Sequence, residues 1–188
     1  MAFVVLYDAC VPYPAPLRDL FVRLANTGVV RARWSTAILD ECFRHILVNR
    51  PDLKPEALQR TRDLMARAVP DCLVTGFEQL IDGLVLPDPD DRHVLAAAIR
   101  AGAQAIVTFN LDDFPAARLQ PYNIDAKHPD DFVIDTIDLS PACPVAVGAS
   151  SASPPPEFPP LRSDAVRFAA GVPDDKVPAS GRARLSER

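Results

Sequence analysis

Four separate segments of this chain carry carboxylates in places where plain surface charge is a poor explanation. Asp8 ends a continuous apolar run, FVVLY, and Glu41 sits six residues after Ser35 in an otherwise apolar and basic stretch. Asp88, Asp90 and Asp91 open the Ala-rich segment DPDDRHVLAAAIRAG, while Asn110, Asp112 and Asp113 follow a second apolar run, QAIVTF. Carboxylates brought within a few ångströms of one another repel, and they ionise together only at a cost unless a cation neutralises them. A hard divalent ion such as Mg²⁺ or Mn²⁺ takes oxygen ligands, keeps several waters and needs few protein carboxylates. Against a phosphate, one or two such ions support in-line displacement. The four cysteines (Cys10, Cys42, Cys72, Cys143) are far apart and no histidine stands at metal-ligand spacing, which disfavours zinc.

Each acidic residue also has a structural reading. Asp88 before Pro89 is most simply a helix N-cap, Asp90 complements a helix dipole from solvent, and Asp91 three residues on suits a capping box. Glu41 has ion-pair partners within a turn in Arg44 and His45. Asp112 and Asp113 fit a turn. Asp8 is the hardest to dismiss, because a carboxylate ending a buried strand must have a partner. His45, His93 and His128 stand alone and read as surface or core residues rather than ligands.

Whether these groups meet depends on the elements that carry them. FVVLY suits a buried parallel strand. LRDLFVRLANTG is an amphipathic helix stopped by Gly28, with Leu17, Leu20, Phe21 and Leu24 on its apolar stripe. VVRARW is a short extended stretch, and Ser35 caps a helix of roughly residues 36–48. A further helix spans about 55–68, DCLVTG and GLVLPD are short strand or loop pieces, and the helix after Asp88 ends at Gly102. QAIVTF is a second buried strand, residues 124–127 a candidate edge strand, and HPDDFVIDTIDL a last helix. Strands alternating with helices through short turns imply a parallel α/β sheet with helices on both faces. In such a sheet ligands sit beyond the carboxyl ends of the strands, so all four acidic segments face one rim.

The 188 residues are 48% hydrophobic and 24% charged, which excludes a wholly disordered chain. A formal charge of −5 argues against a protein that coats nucleic acid by bulk positive charge, although a local basic strip remains open. The start, AFVVLYDAC, lacks a basic region and breaks at Asp8, so neither a signal peptide nor a membrane span is expected. A cytoplasmic location with reduced thiols follows. Around Pro141 the character changes. Residues 141–160 hold seven prolines and a Ser/Ala cluster with no helix or strand period. The expected organisation is one domain over 1–140 and a flexible Pro/Ser/Arg-rich tail over 141–188. A frame change near Pro141 in a GC-rich gene is an alternative origin for that composition.

LYDACV, STAILDE, DPDDRHVLAAAIRAGAQAIVTFNLDDF and HPDDF together resemble a PIN domain, and more narrowly the bacterial VapC-type toxin nucleases of type II toxin–antitoxin systems. The resemblance covers about residues 3–140. It implies a three-layer α/β/α fold with a central parallel sheet, and Mg²⁺- or Mn²⁺-dependent endoribonuclease activity. Asp8, Glu41, Asp91 and Asp113 match the four acidic metal-binding and catalytic positions, Thr108 and Asn110 the polar residues before the last of them, and Ser35 the hydroxyl residue before the glutamate helix. A separately encoded antitoxin and a homodimer are implied as well, with RNA as substrate. The arginines expected to grip RNA, as a basic rim, are Arg18, Arg31, Arg33, Arg44 and Arg92. Two features depart from the pattern. Cys10 stands where many members carry Asn or Ser, so a supporting hydrogen bond around the site is expected to be missing. The tail after HPDDF also lacks the helical continuation of relatives of this length.

Two other functions stay open on these residues. A phosphatase of haloacid-dehalogenase type also ends its first strand with Asp, but it needs a second Asp two places on, where this chain has Cys10. A catalytically inactive PIN-like interaction module would keep the fold without the chemistry.

Overall fold

The computed structural model describes residues 3–139. Cys143 and the expected tail over 141–188 lie outside the described residues. The chain runs β1 (Phe3–Tyr7), α1 (Ala15–Asn26), β2 (Val30–Ser35), α2 (Thr36–Asn49), α3 (Pro55–Ala68), β3 (Leu73–Val74), α4 (Arg92–Ala101), β4 (Ala105–Val107), α5 (Ala116–Leu119), β5 (Asp125–Lys127) and α6 (Pro129–Leu139). The five strands form one parallel sheet in the order β3-β2-β1-β4-β5. Phe3 pairs with Val30 and Leu6 with Arg33, while Val5 pairs with Ala105 and Tyr7 with Val107.

Right-handed crossovers decide the layers. The path from β1 to β2 to β3 steps outward in one direction, which places α1, α2 and α3 on one face. The return from β3 to β4 passes back across the sheet and puts α4 on the other. On the first face Tyr7 meets the edge of Phe21 at 4.9 Å between ring centroids and stacks on Trp34 at 6.2 Å. Phe132 of α6 stacks on Phe21 at 5.8 Å, so α6 closes the same layer. Aromatic pairs in these offset and edge geometries add about 0.5–1.5 kcal/mol each beyond the area they bury. On the second face α4 buries Val94, Leu95 and the run Ala96, Ala97 and Ala98. Its small side chains let the helix sit close to the strands. Gly102 ends α4 at φ +62° in the left-handed region, and the Ala103 N–H bonds the Ala98 carbonyl at 3.0 Å, closing a Schellman turn.

Two local expectations change. The GLVLPD segment is not a strand: Leu84 and Leu86 are buried and Val85 is exposed, but this extended piece pairs with none of the five strands. A 3₁₀ turn over Glu78–Gly83 precedes it. The helix expected to begin at Pro89 instead opens with a 3₁₀ turn, Pro89–Asp91, and becomes α-helical at Arg92. Cys42 and Cys72 are buried free thiols, as small core residues would be. Among the described residues no helix is long and apolar enough to cross a membrane.

Candidate functional site

The strand order reverses direction between β1 and β4, and a parallel sheet opens a crevice at such a switch, beyond the carboxyl ends of the two strands. Asp8 is the first residue past β1, and Thr108 the first past β4. The ladder continues through both. Asp8 N–H bonds the Val107 carbonyl at 3.1 Å and Thr108 N–H the Lys127 carbonyl at 3.0 Å. Backbone pairing therefore fixes both side chains at the crevice floor.

Asp8 is 6% exposed, and its carboxylate is surrounded by donors. Oδ1 accepts the Ala9 N–H at 2.6 Å. Oδ2 accepts the Thr108 hydroxyl at 2.7 Å and the Cys10 thiol at 3.1 Å. Since Thr108 Oγ1 donates to Asp8, it is free to accept the Asn110 N–H, at 3.0 Å, and Cys10 Sγ likewise accepts the Phe109 N–H at 3.3 Å. Burial first, and the Asp8 charge next, push the Cys10 thiol well up, so it stays protonated and remains a donor. The expected missing hydrogen bond is thus corrected: sulfur supplies it.

Around this floor stand the other carboxylates. Asp88, Asp91 and Asp113 each place an oxygen within 4.8 Å of the others. Asp91 precedes the α-helical part of α4 and makes no capping bond, so its side chain is left for the crevice. Its pKa is pushed up to about 8, by burial first and then by the charges of Asp8, Asp113, Asp88 and Glu41. Asp113 closes a 3₁₀ turn, Leu111–Asp113, and its Oδ2 accepts the Asn110 side-chain amide. Glu41, half-buried on α2, is also raised, by burial and then by Asp8, with Arg44 acting the other way. The four sequence-predicted acids therefore share one electrostatic neighbourhood, while the tightest group of oxygens is Asp88, Asp91 and Asp113.

Two residues were set aside in the sequence. Asp88 does act as a cap, its Oδ1 accepting the Asp90 N–H at 2.9 Å, and it also joins the cluster. The i, i+3 repeat of Asp88 and Asp91 was the available signal. His93 places Nε2 3.3 Å from Glu41 Oε2, with neither ring nitrogen in a hydrogen bond. Burial lowers its pKa, against Asp8 and Asp90. Nothing in its spacing pointed to Glu41, which lies on another helix.

Ser35 is fully buried and caps α2 by accepting the Ile38 N–H at 3.1 Å. Its hydroxyl orients the helix that bears Glu41. The arginines divide. Arg18, half-buried at the start of α1, donates to the Pro12 carbonyl at 2.9 Å. Arg44 is exposed one turn past Glu41, and Arg92 folds back on the Pro89 carbonyl at 2.8 Å. Arg31 and Arg33 are not brought to the acidic rim. Both lie lower on β2, with Arg31 four residues before Ser35, about 13 Å along the strand.

An all-oxygen set of carboxylates, one of them held far above its ordinary range by burial first and then by its neighbours' charge, fits a hard divalent cation. The donor chemistry, with no thiolate or imidazole in the cluster, does not fit zinc preferentially.

Comparison with known proteins gives a family model described as a PIN domain, matched over residues 4–112. The Mycobacterium tuberculosis protein named Putative ribonuclease VapC50 is 61% identical over 49 residues, which is 26% of this chain and 29% of that relative. No solved structure matches the chain.

Proposed function

This chain belongs to the PIN-domain family, and on that premise we propose that it is a Mg²⁺- or Mn²⁺-dependent endoribonuclease, the toxin of a type II toxin–antitoxin pair. The observation that carries the reading is the convergence of Asp88, Asp91 and Asp113 beside buried Asp8, with Asp91 held up to about 8 by burial and by neighbouring charges, the latter of which a cation would offset. Asp88, Asp91 and Asp113 would hold the ion, with Asp8 at the floor and Glu41 on α2 as further carboxylates. When bound, such an ion supplies Lewis acidity toward phosphate oxygens and acidifies water.

The chain's own residues do the positioning. Thr108 and Cys10 lock Asp8 in one rotamer from below, and Asn110 orients Asp113. Ser35 fixes the start of α2 and so the height of Glu41. Arg18 and Arg44, on the helices that flank the crevice, are the candidates for gripping phosphate at the rim; guanidinium forks suit that role. The antitoxin would cover the acidic crevice and offer a basic side chain to it, and a homodimer is the proposed assembly. The part of the relative that this chain matches is less than a third of its length, and its printed name describes that protein.

The test is cleavage of a mixed RNA by the purified chain with Mg²⁺ or Mn²⁺, beside Asp8→Asn and an EDTA control. Metal-dependent cutting that disappears in the variant supports the reading. No cutting in either metal, by folded protein free of antitoxin, sinks it in favour of an inactive PIN-like module.

A further inference from the structure

Val30, Ala32 and Trp34 on β2 point into the aromatic layer and are at most 2% exposed, so Arg31 and Arg33 between them point to the opposite face. Same-face neighbours on a strand are about 7 Å apart. Two clefts meet at Arg33. One, of about 250 Å³, lies between Arg31, Arg33, Gly28 and Pro70. The other, of about 290 Å³, runs from Arg33 along β3 to Arg100 in the last turn of α4. Arg100 donates weakly to the Thr75 carbonyl at 3.4 Å, which holds its guanidinium at the cleft wall.

Among the described residues, none of the ion pairs involves Arg31, Arg33 or Arg100. One carboxylate is near: Asp71 and Arg33 both act on the buried Cys72 thiol, in opposite senses. In a chain with a formal charge of −5, three guanidiniums that make no ion pair among the described residues, along two clefts that share Arg33, are a concentrated positive site. Arg33 is half-buried as well, so its charge sits where the surrounding wall screens it less than open water would.

We propose that this cleft is a second RNA-binding site, which holds the phosphodiester backbone of a single strand away from the acidic rim. The inference rests on the RNA reading above and extends it. Guanidinium forks bond phosphate oxygens bidentately, and a row of them at strand pitch suits a chain of evenly spaced phosphates better than scattered carboxylates of a peptide. Arg31 stands four residues before Ser35, about 13 Å along β2, so a strand that engages Arg31 and the rim together must span several nucleotides, and the site serves long substrates.

The test uses the full chain in EDTA, with a fluorescein-labelled mixed-sequence RNA of about 20 nucleotides, longer than the roughly 4–16 that a single-strand groove covers. Binding is followed by polarisation between about 50 and 200 mM salt. The variant is Arg31→Gln/Arg33→Gln/Arg100→Gln. A second triple, Lys54→Gln/Arg60→Gln/Arg118→Gln, removes the same charge elsewhere, and thermal melts check folding of both. Each phosphate contact adds about 0.7 to the log–log salt slope for single strands, so the cleft triple should flatten it by about 2 and weaken binding by about tenfold or more. The control triple should keep most of the slope. Equal effects of the two triples, or an unchanged slope in the cleft triple, overturn the proposal. So does arginine-dependent binding of a labelled polyglutamate peptide without such binding of RNA, which would assign the cleft to an acidic protein. Wild-type cutting of the same RNA in Mn²⁺ runs in parallel. Cutting with arginine-independent binding rejects the cleft alone, whereas arginine-dependent binding without cutting supports the cleft and rejects the nuclease.

Discussion

Replacing Asp91 by Asn should make the metal-free protein more stable at alkaline pH while removing its response to metal. Asp91 has its pKa raised to about 8 in the fold, against about 3.9 for an aspartate in an unfolded chain. The folded state therefore binds the proton more tightly. Its contribution is fully present below about pH 4 and is lost as pH rises through about 8. At about 1.4 kcal/mol per pH unit the unscreened ceiling is about 6 kcal/mol. Asp91 is half-exposed and solvent screens its neighbours, which brings the expected loss to about 1–3 kcal/mol. For a domain of this size each kcal/mol moves the melting temperature by roughly 4 °C. In EDTA at about pH 8, Asp91→Asn should melt roughly 4–12 °C above wild type, and the two should converge near pH 4. His93 titrates in the opposite sense: its lowered pKa gives stability that is lost as pH falls through it, but both proteins carry His93, so it cancels in the difference. Millimolar Mn²⁺ should raise the wild-type melt and leave the variant nearly unmoved. Circular dichroism melts across pH check all of this. A variant that melts below wild type at pH 8, or with the same gap at pH 5, refutes the reasoning that like charges strain this crevice.

Other substitutions read other parts of the structure. Thr108→Val keeps the shape but removes the hydroxyl bonded to buried Asp8 and the acceptor of the Asn110 N–H, so urea unfolding should show a loss of about 1–3 kcal/mol. RNA cleavage should fall with it. Cys10→Ser should retain both, since a hydroxyl can replace the thiol as donor to Asp8, whereas Cys10→Ala should cost about 1 kcal/mol and lower the rate in a cleavage assay. Ser35→Ala removes the α2 cap, for a loss of about 1 kcal/mol in denaturant titration. Phe21→Ala opens a cavity between Tyr7 and Phe132 and should cost about 3–5 kcal/mol by the same measurement.

Much of the architecture was legible because its signals are local. The apolar runs at β1 and β4, the Ser35 cap, the Gly102 stop and the amphipathic stripe of α1 each follow from a few adjacent residues. The segment at 84–86 misled for a physical reason: its in–out alternation is that of a strand, but strand identity needs a partner, and partners are settled by the whole sheet. Arg31 and Arg33 were placed at the rim although β2 runs toward Ser35, so their position before it already put them lower on the strand. Their alternation with Val30, Ala32 and Trp34 carried the facing. Asp88 was assigned to capping, which is correct and incomplete, because one carboxylate oxygen caps while the residue still reaches the cluster. Cys10 was judged by the residue type it replaces rather than by the bond it can make.

The crevice and the outer edge of the sheet carry opposite electrostatic problems, and the same strand order creates both. At the carboxyl ends, the switch between β1 and β4 gathers acids from loops distant in sequence, and burial of Asp8 among donors keeps one of them fixed while Asp91 bears the repulsion. Hydrogen bonds within the crevice stabilise Asp8, Asp88 and Asp113. The charge on Asp91 and Glu41 has no protein cation beside it strong enough to lower either carboxyl to its ordinary range. That residual repulsion disfavours the metal-free fold and favours cation binding, which is why stability and metal affinity should move in opposite directions at Asp91. Along the outer edge, β2 carries arginines that make no ion pair among the described residues. A polyanion that spans the two would meet attraction from the arginines directly, and from the acids only once their charge is offset.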